Sequence, residues 1–221
     1  KEYICQHYKA SRDKVVVVMN GYDARDFSNN NFFLKKSILP IPELSLVHVG
    51  TFYGKRSPLM LIINVLITQK KIGIPISLRL VGKMGKPAKL IVALFKKYIS
   101  IQVTEQVSHN KAIEIMCQAD ILILVPGRFG VGVITGKVFE YIASGRPIIN
   151  LFSYKGPLTK MLKNLDGAFN VREYNFKEFS KTLKTMIDQD YYCHFKRINT
   201  QKYERNRQYK GIENLINKIR K

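Results

Sequence analysis

Short apolar runs rich in β-branched residues alternate with longer amphipathic stretches through the middle of the chain, and this alternation predicts a parallel sheet covered on both faces. The strands read as Leu46–Val49, Ile76–Val81, Ile99–Val103, Ile121–Val125, Pro147–Phe152 and Ala168–Val171. Between them, Ser57-Pro58 supplies an N-cap and a proline at the first helical position for a helix to about Lys71. Further helices are expected over Pro87–Tyr98, from a Ser108 cap through Ala119, over Gly136–Ser144 and over Pro157–Leu165.

Outside this block the pattern changes. Lys1–Tyr8 reads as a helix end, followed by the polar break Lys9–Lys14, a strand Val15–Met19 and an Asn20-Gly21 turn. Asn29–Asn31, Pro40 and Pro42 then predict a wandering loop. Past Asn175 the chain turns helical. Phe176, Phe179, Leu183, Met186 and Ile187 share one face of a first helix, and a basic stretch from His194 to Lys221 is expected to break at Gly211. The resulting organisation is a segment 1–43, an α/β domain 44–174 and a basic helical extension 175–221.

Two stretches carry the candidate chemistry. Val49-Gly50-Thr51-Phe52-Tyr53-Gly54-Lys55-Arg56 places a glycine turn and two cations where a strand yields to a helix. Unpaired N–H groups at a helix start attract anions, and Lys55 and Arg56 add full charges suited to a diphosphate. Glu140 stands in the otherwise apolar Val138-Phe139-Glu140-Tyr141-Ile142, where an unpaired carboxylate is costly. Its two acceptor oxygens match the vicinal hydroxyls of a ribose. Lys137 lies one turn earlier and either pairs with Glu140 or Tyr141 or contacts ligand.

Charge widens the choice. With 37 basic and 16 acidic residues the net charge is +21, which suits nucleic acid or an anionic membrane, although the cations are spread along the whole chain. Cys5, Cys117 and Cys193 have neither zinc-site nor disulfide spacing, and reduced thiols in a cytoplasmic protein are expected. No apolar run reaches the ~18 residues of a membrane span. His48 reads as a satisfied core or rim histidine, and His109, just after a cap, as solvent-facing. Gly82-Lys83-Met84-Gly85 reads as a turn, since it lacks the spacing of a phosphate loop. The missing glycine fingerprint also disfavours a nicotinamide dehydrogenase.

In order, Val17-Val18-Met19-Asn20-Gly21-Tyr22-Asp23, the Gly50–Arg56 turn, Leu80-Val81-Gly82, Ala119-Asp120-Ile121-Leu122-Ile123 and Lys137-Val138-Phe139-Glu140-Tyr141 followed by Ser144-Gly145-Arg146-Pro147 resemble a known family. The resemblance is to the C-terminal, nucleotide-sugar-binding half of retaining GT-B glycosyltransferases, often called glycosyl transferases group 1. It implies a Rossmann-like doubly wound sheet, with residues 1–43 joining it to an N-terminal acceptor domain. It further implies that Gly50 and Thr51 lie against the diphosphate and that Lys55 and Arg56 neutralise it during transfer. Val103, Thr104 and Val107 fall where such enzymes place the nucleobase. The loop through Gly132, Val133, Thr135, Gly136 and Lys137 gives N–H groups to sugar and phosphates, and Glu140 binds the ribose. One departure is that Gly132 stands where the family often has a glutamate near the donor sugar.

The function implied is sugar transfer from a UDP-, GDP- or ADP-sugar to a glycan, lipid-linked or small-molecule acceptor in glycan biosynthesis, with no cofactor and no essential metal. By the same resemblance the chain alone lacks the acceptor domain and is inactive. The alternative is a basic module of this fold that binds nucleic acid or a membrane surface without catalysis. Aromatic residues do not form a recognised RNA-binding motif, which disfavours nucleic acid. The expected location is the cytoplasm, with association to an anionic membrane left open.

Overall fold

The computed structural model describes residues 1–9, 11–28, 43–52, 57–125, 134–151, 156–172, 175–189 and 200–219. Six parallel strands form one sheet: β1 (Leu44–Val49), β2 (Ile76–Val81), β3 (Ser100–Thr104), β4 (Ile121–Leu124), β5 (Ile148–Leu151) and β6 (Ala168–Val171). Their spatial order is β3-β2-β1-β4-β5-β6. The helices are α1 (Glu2–His7), α2 (Leu59–Ile72), α3 (Lys86–Phe95), α4 (His109–Gln118), α5 (Gly136–Ala143), α6 (Pro157–Lys163), α7 (Phe176–Asp188) and α8 (Arg205–Ile219). The α/β, Rossmann-like doubly wound class expected from the alternation is the one observed.

The period of two along each strand divides the core. Leu44, Leu46, Leu78, Leu80, Ile121, Ile123, Ile149 and Leu151 face one side, where buried residues of α2, α3 and α7 meet them. Val47, Val49, Val81, Leu122, Leu124 and Ile148 face the other, against α4, α5 and α6. Strands buried on both faces have no polar side to show, which is why they read as nearly continuous apolar runs.

Two local expectations fail. Val15–Met19 is not a strand: β-branched residues favour extended backbone, but a strand needs a ladder partner, and Val16, Val17 and Val18 are exposed. The chain first pairs at Tyr22, whose N–H donates to Tyr203 O (3.1 Å) while Tyr22 O accepts from Arg205 N–H (2.9 Å). Gly211 does not end a helix but lies within α8, where the cost of one glycine is only about 1 kcal/mol. His109 faces solvent as expected, and its Nε2 also lies 2.9 Å from an Asp26 carboxylate oxygen. That contact joins the 3₁₀ turn Ala24–Phe27 to the start of α4.

The α2–α7 interface contains a buried hydrogen bond between the hydroxyls of Thr68 and Ser180, 2.8 Å apart. Thr68→Val should leave the Ser180 hydroxyl buried without its partner and cost about 1–2 kcal/mol. At roughly 2–4 °C per kcal/mol for a domain of this size, calorimetry should read a fall of several degrees. Adding Ser180→Ala should recover part of the loss, since the pair is coupled.

Candidate functional site

The sheet order reverses between β1 and β4, and in open α/β sheets ligands bind beyond the carboxyl ends of the strands at such a point. Here the ladder is short. Only Leu46↔Ile121 and Val47↔Leu122 register between β1 and β4, whereas β1 and β2 stay in register from Leu44↔Ile76 to Val49↔Val81. Past Val47 the first strand therefore stays with β2 and leaves β4. Backbone groups on the parting strands need other partners, because a buried unpaired amide or carbonyl costs about 1–3 kcal/mol.

Two side chains supply them. His48, 4% exposed, directs Nδ1 at Ile123 O across 2.9 Å; a carbonyl only accepts, so Nδ1 carries the proton. From α5, the fully buried Tyr141 hydroxyl accepts the Val49 N–H at 2.7 Å and lies 3.4 Å from Ile123 O. Burial pushes the Tyr141 pKa well above the usual phenol value, opposed by the Val49 hydrogen bond and reinforced by the Glu140 charge.

The turn after β1 is zipped to the turn after β2. Gly50 N–H donates to Val81 O (2.8 Å), Phe52 N–H to Lys83 O (2.9 Å) and Gly85 N–H to Phe52 O (2.8 Å). Gly82 sits at φ +132°, and a Cβ there would stand 2.2 Å from Gly50 O, so both conformation and space demand glycine. Its N–H donates to Thr104 O (2.9 Å), which carries the chain of contacts on to β3. The expectation of a turn at Gly82–Gly85 holds. What the sequence alone did not disclose is that this turn is the support of the Gly50-Thr51 backbone.

The predicted site residues fall into two groups. Gly50 and Thr51 follow β1, Val103 and Thr104 end β3, and Val107 packs partly buried on the α4–α5 side of the sheet. Thr135 is the N-cap residue of α5, with no side-chain cap hydrogen bond, and Gly136 and Lys137 begin the helix, whose first turn holds no acidic residue. An Asn20 amide nitrogen lies 3.4 Å from where a Gly136 Cβ would be, bringing the chain's early segment to this helix start. These residues share the carboxyl edge of the sheet. Lys55, Arg56, Gly132 and Val133 lie outside the described residues.

Glu140 is partly enclosed, its side chain 19% exposed, and its Oε2 is 2.7 Å from Lys137 Nζ. The pairing across one turn is the one anticipated for Lys137. Burial pushes the Cys117 thiol up to about 11, with the Arg146 charge opposing it. Among the described residues no three His, Cys, Asp or Glu side chains gather as a metal-binding group, and no helix is long and apolar enough to cross a membrane.

No family model matches the chain, and no curated protein matches it in sequence. Solved structures do match its fold. A glycosyltransferase from Rickettsia africae superposes with TM-score 0.66 at 16% identity, over 100% of this chain and 61% of its own. Anabaena HepE in complex with UDP and glucose gives 0.65 at 13%, over 96% and 59%. Sucrose-phosphate synthase from Thermosynechococcus elongatus gives 0.64 at 15%, over 99% and 56%. The fold is thus the Rossmann-like half-domain of GT-B glycosyltransferases. The chain matches about three fifths of the length of these proteins.

Tyr141→Phe should strand the Val49 N–H and cost about 1–3 kcal/mol, read as a lower melting temperature with an unchanged circular dichroism spectrum. The pH dependence follows from the sign of the shift. A phenol whose folded pKa lies above the unfolded value of about 10 loses none of its stabilisation below that pH. As pH rises past 10 the unfolded chain ionises first, so wild-type stability should fall there, and less steeply in Tyr141→Phe.

Proposed function

We propose that the chain is the donor-binding half of a glycosyltransferase that moves a sugar from a nucleotide sugar to an acceptor with retention at the anomeric carbon. The observation that carries this reading is the opened β1–β4 switch point. A glycine turn lies on one side of it and, on the other, the uncapped start of α5 followed by a partly enclosed glutamate. Support comes from the fold, shared with a protein whose structure holds UDP and glucose.

In this reading the nucleoside diphosphate lies across the opening, its phosphates against the Gly50-Thr51 backbone and the N–H groups of Gly136 and Lys137. Lys55 and Arg56 offset the charge that grows on the leaving diphosphate, the role a divalent ion plays elsewhere, so no metal is required. Glu140 accepts from the ribose hydroxyls through the carboxylate oxygen that Lys137 does not hold, and the Lys137 ion pair fixes the orientation of the carboxylate. The nucleobase lies towards Val103, Thr104 and Val107. Gly132, in place of a carboxylate near the sugar, leaves room and no charge there, so the donor sugar is held by other groups. Acceptors are a glycan, a lipid-linked sugar or a small molecule, and the contacts to them lie in the part of such enzymes that this chain does not match.

Isothermal titration with UDP-, GDP- and ADP-sugars tests the reading directly: one base should be preferred. Glu140→Gln should weaken that binding by roughly 1–3 kcal/mol, the range of a charge-assisted hydrogen bond. Lys137→Met serves as control. If Glu140 only partners Lys137, both variants should lose stability alike and leave nucleotide affinity unchanged, which excludes Glu140 from the site.

Replacing Lys55 and Arg56 together by alanine should remove the preference for a nucleoside diphosphate over the bare nucleoside at fixed salt. The chain by itself should bind donor yet transfer no sugar until joined to an acceptor domain. Transfer by the isolated chain overturns the half-enzyme reading; tight RNA binding with no nucleotide-sugar binding favours the basic-module alternative.

A further inference from the structure

The outward face of α3 matches neither a protein core nor an ordinary solvated helix. Its inner face is complete: Ala88 and Val92 are buried, and Ile91 and Phe95 pack against the same core. Leu90 and Leu94 nevertheless remain 63% and 59% exposed, and Tyr98, just past the helix, 56%. At helical spacing Pro87, Leu90 and Leu94 form one apolar ridge. Around it stand Lys83, Lys86, Lys89, Lys96 and Lys97, all exposed.

The surrounding charge is one-sided. Between Glu43 and Glu105 the sequence contains no aspartate or glutamate but ten lysines and arginines; Lys55 and Arg56 belong to the donor-site stretch and Arg79 to β2, which leaves seven lysines on or beside α3 and the end of α2. Glu105 pairs with Lys89 at 3.1 Å, and the Lys97 ammonium lies 4.8 Å over the Tyr98 ring. The neighbouring α2 ends in exposed Lys70 and Lys71, with Ile67 also exposed on its outer side. Lysines on a helix that also shows leucines to water form the pattern of an interfacial helix: the ammonium groups meet anionic headgroups while the apolar ridge enters the boundary beneath them. A polynucleotide would use the lysines and leave the leucines idle.

We propose that α3, with the end of α2, is a docking face for an anionic lipid surface. The contact is independent of the donor site, because α3 covers one face of the sheet whereas α5 packs on the other. It is also distinct from the terminal α8, which exposes Tyr209, Ile212 and Ile216 but carries Glu213 among its cations and follows Tyr203 on the α5 side.

The test is co-sedimentation of the full chain with phosphatidylcholine vesicles, with and without phosphatidylglycerol. Binding should require the anionic lipid. Leu90→Ser with Leu94→Ser, and separately Lys86→Glu with Lys97→Glu, should each lower the partition coefficient roughly tenfold or more, while Tyr209→Ser with Ile212→Ser on α8 should not. Because the chain contains no tryptophan, Leu94→Trp gives a single reporter whose emission should shift to the blue on anionic vesicles only. Unchanged binding in both α3 double variants overturns the proposal. So does loss in the lysine pair without loss in the leucine pair, an unshifted reporter on bound vesicles, or equal binding to neutral vesicles. Protection of RNA that disappears with the lysine pair, with no vesicle binding, also overturns it.

Discussion

Everything at the carboxyl edge of this sheet depends on how two adjacent strands part. β1 and β4 share only two registered pairs, and beyond Val47 and Leu122 the first strand remains with β2. A buried separation exposes amides and carbonyls that water does not reach, so it persists only where side chains replace the lost ladder. His48 serves the Ile123 carbonyl from β1 itself, and Tyr141 serves the Val49 amide from α5. The opening is therefore built, and its depth is set by two buried polar groups rather than by loose packing.

The same constraint orders the surrounding turns. With Tyr141 bound to Val49, the first residues of α5 and the Gly50-Thr51 backbone are held by one helix and one strand end, both rooted in the core. Gly82 completes the arrangement by letting a second backbone approach Gly50 closer than any side chain permits. Anion-binding N–H groups work best when fixed in advance, since no free energy then goes to ordering them as the ligand arrives. A rigid edge with an uncapped helix start is consistent with the nucleotide-sugar reading for that reason.

Charge separates into two roles. Lys137 is engaged with Glu140 inside the edge, where the close ion pair holds a partly enclosed carboxylate in place. The lysines of α3 stand outside, where among the described residues Glu105 pairs with Lys89, and there they act as a field more than as individual bonds. A net charge of +21 read from composition alone does not distinguish these situations.

Much of the fold was legible because parallel strands buried on both faces have a signature that single-residue chemistry does not blur. The bounds Ile76–Val81 and Ala168–Val171 are those the pattern predicts, and the Ser108 cap is the one expected, whereas α2 begins one residue later than Ser57-Pro58 implies, with Pro58 as its N-cap. The fold class follows from the same local patterns, whereas the grouping of Gly50, Thr51, Thr104, Gly136 and Glu140 into one site is what the family resemblance implies. What local patterns do not contain is partnership. Val15–Met19 has strand chemistry and, among the described residues, no strand beside it; Gly211 breaks nothing in a helix that surrounds it, and His109 meets an aspartate 83 positions away. Tyr141 looked like one more aromatic in an apolar helix, and His48 like a satisfied core residue. Only the tertiary structure shows that both hold the switch point open, because the backbone groups they satisfy become unpaired only when six distant segments have been assembled into one sheet.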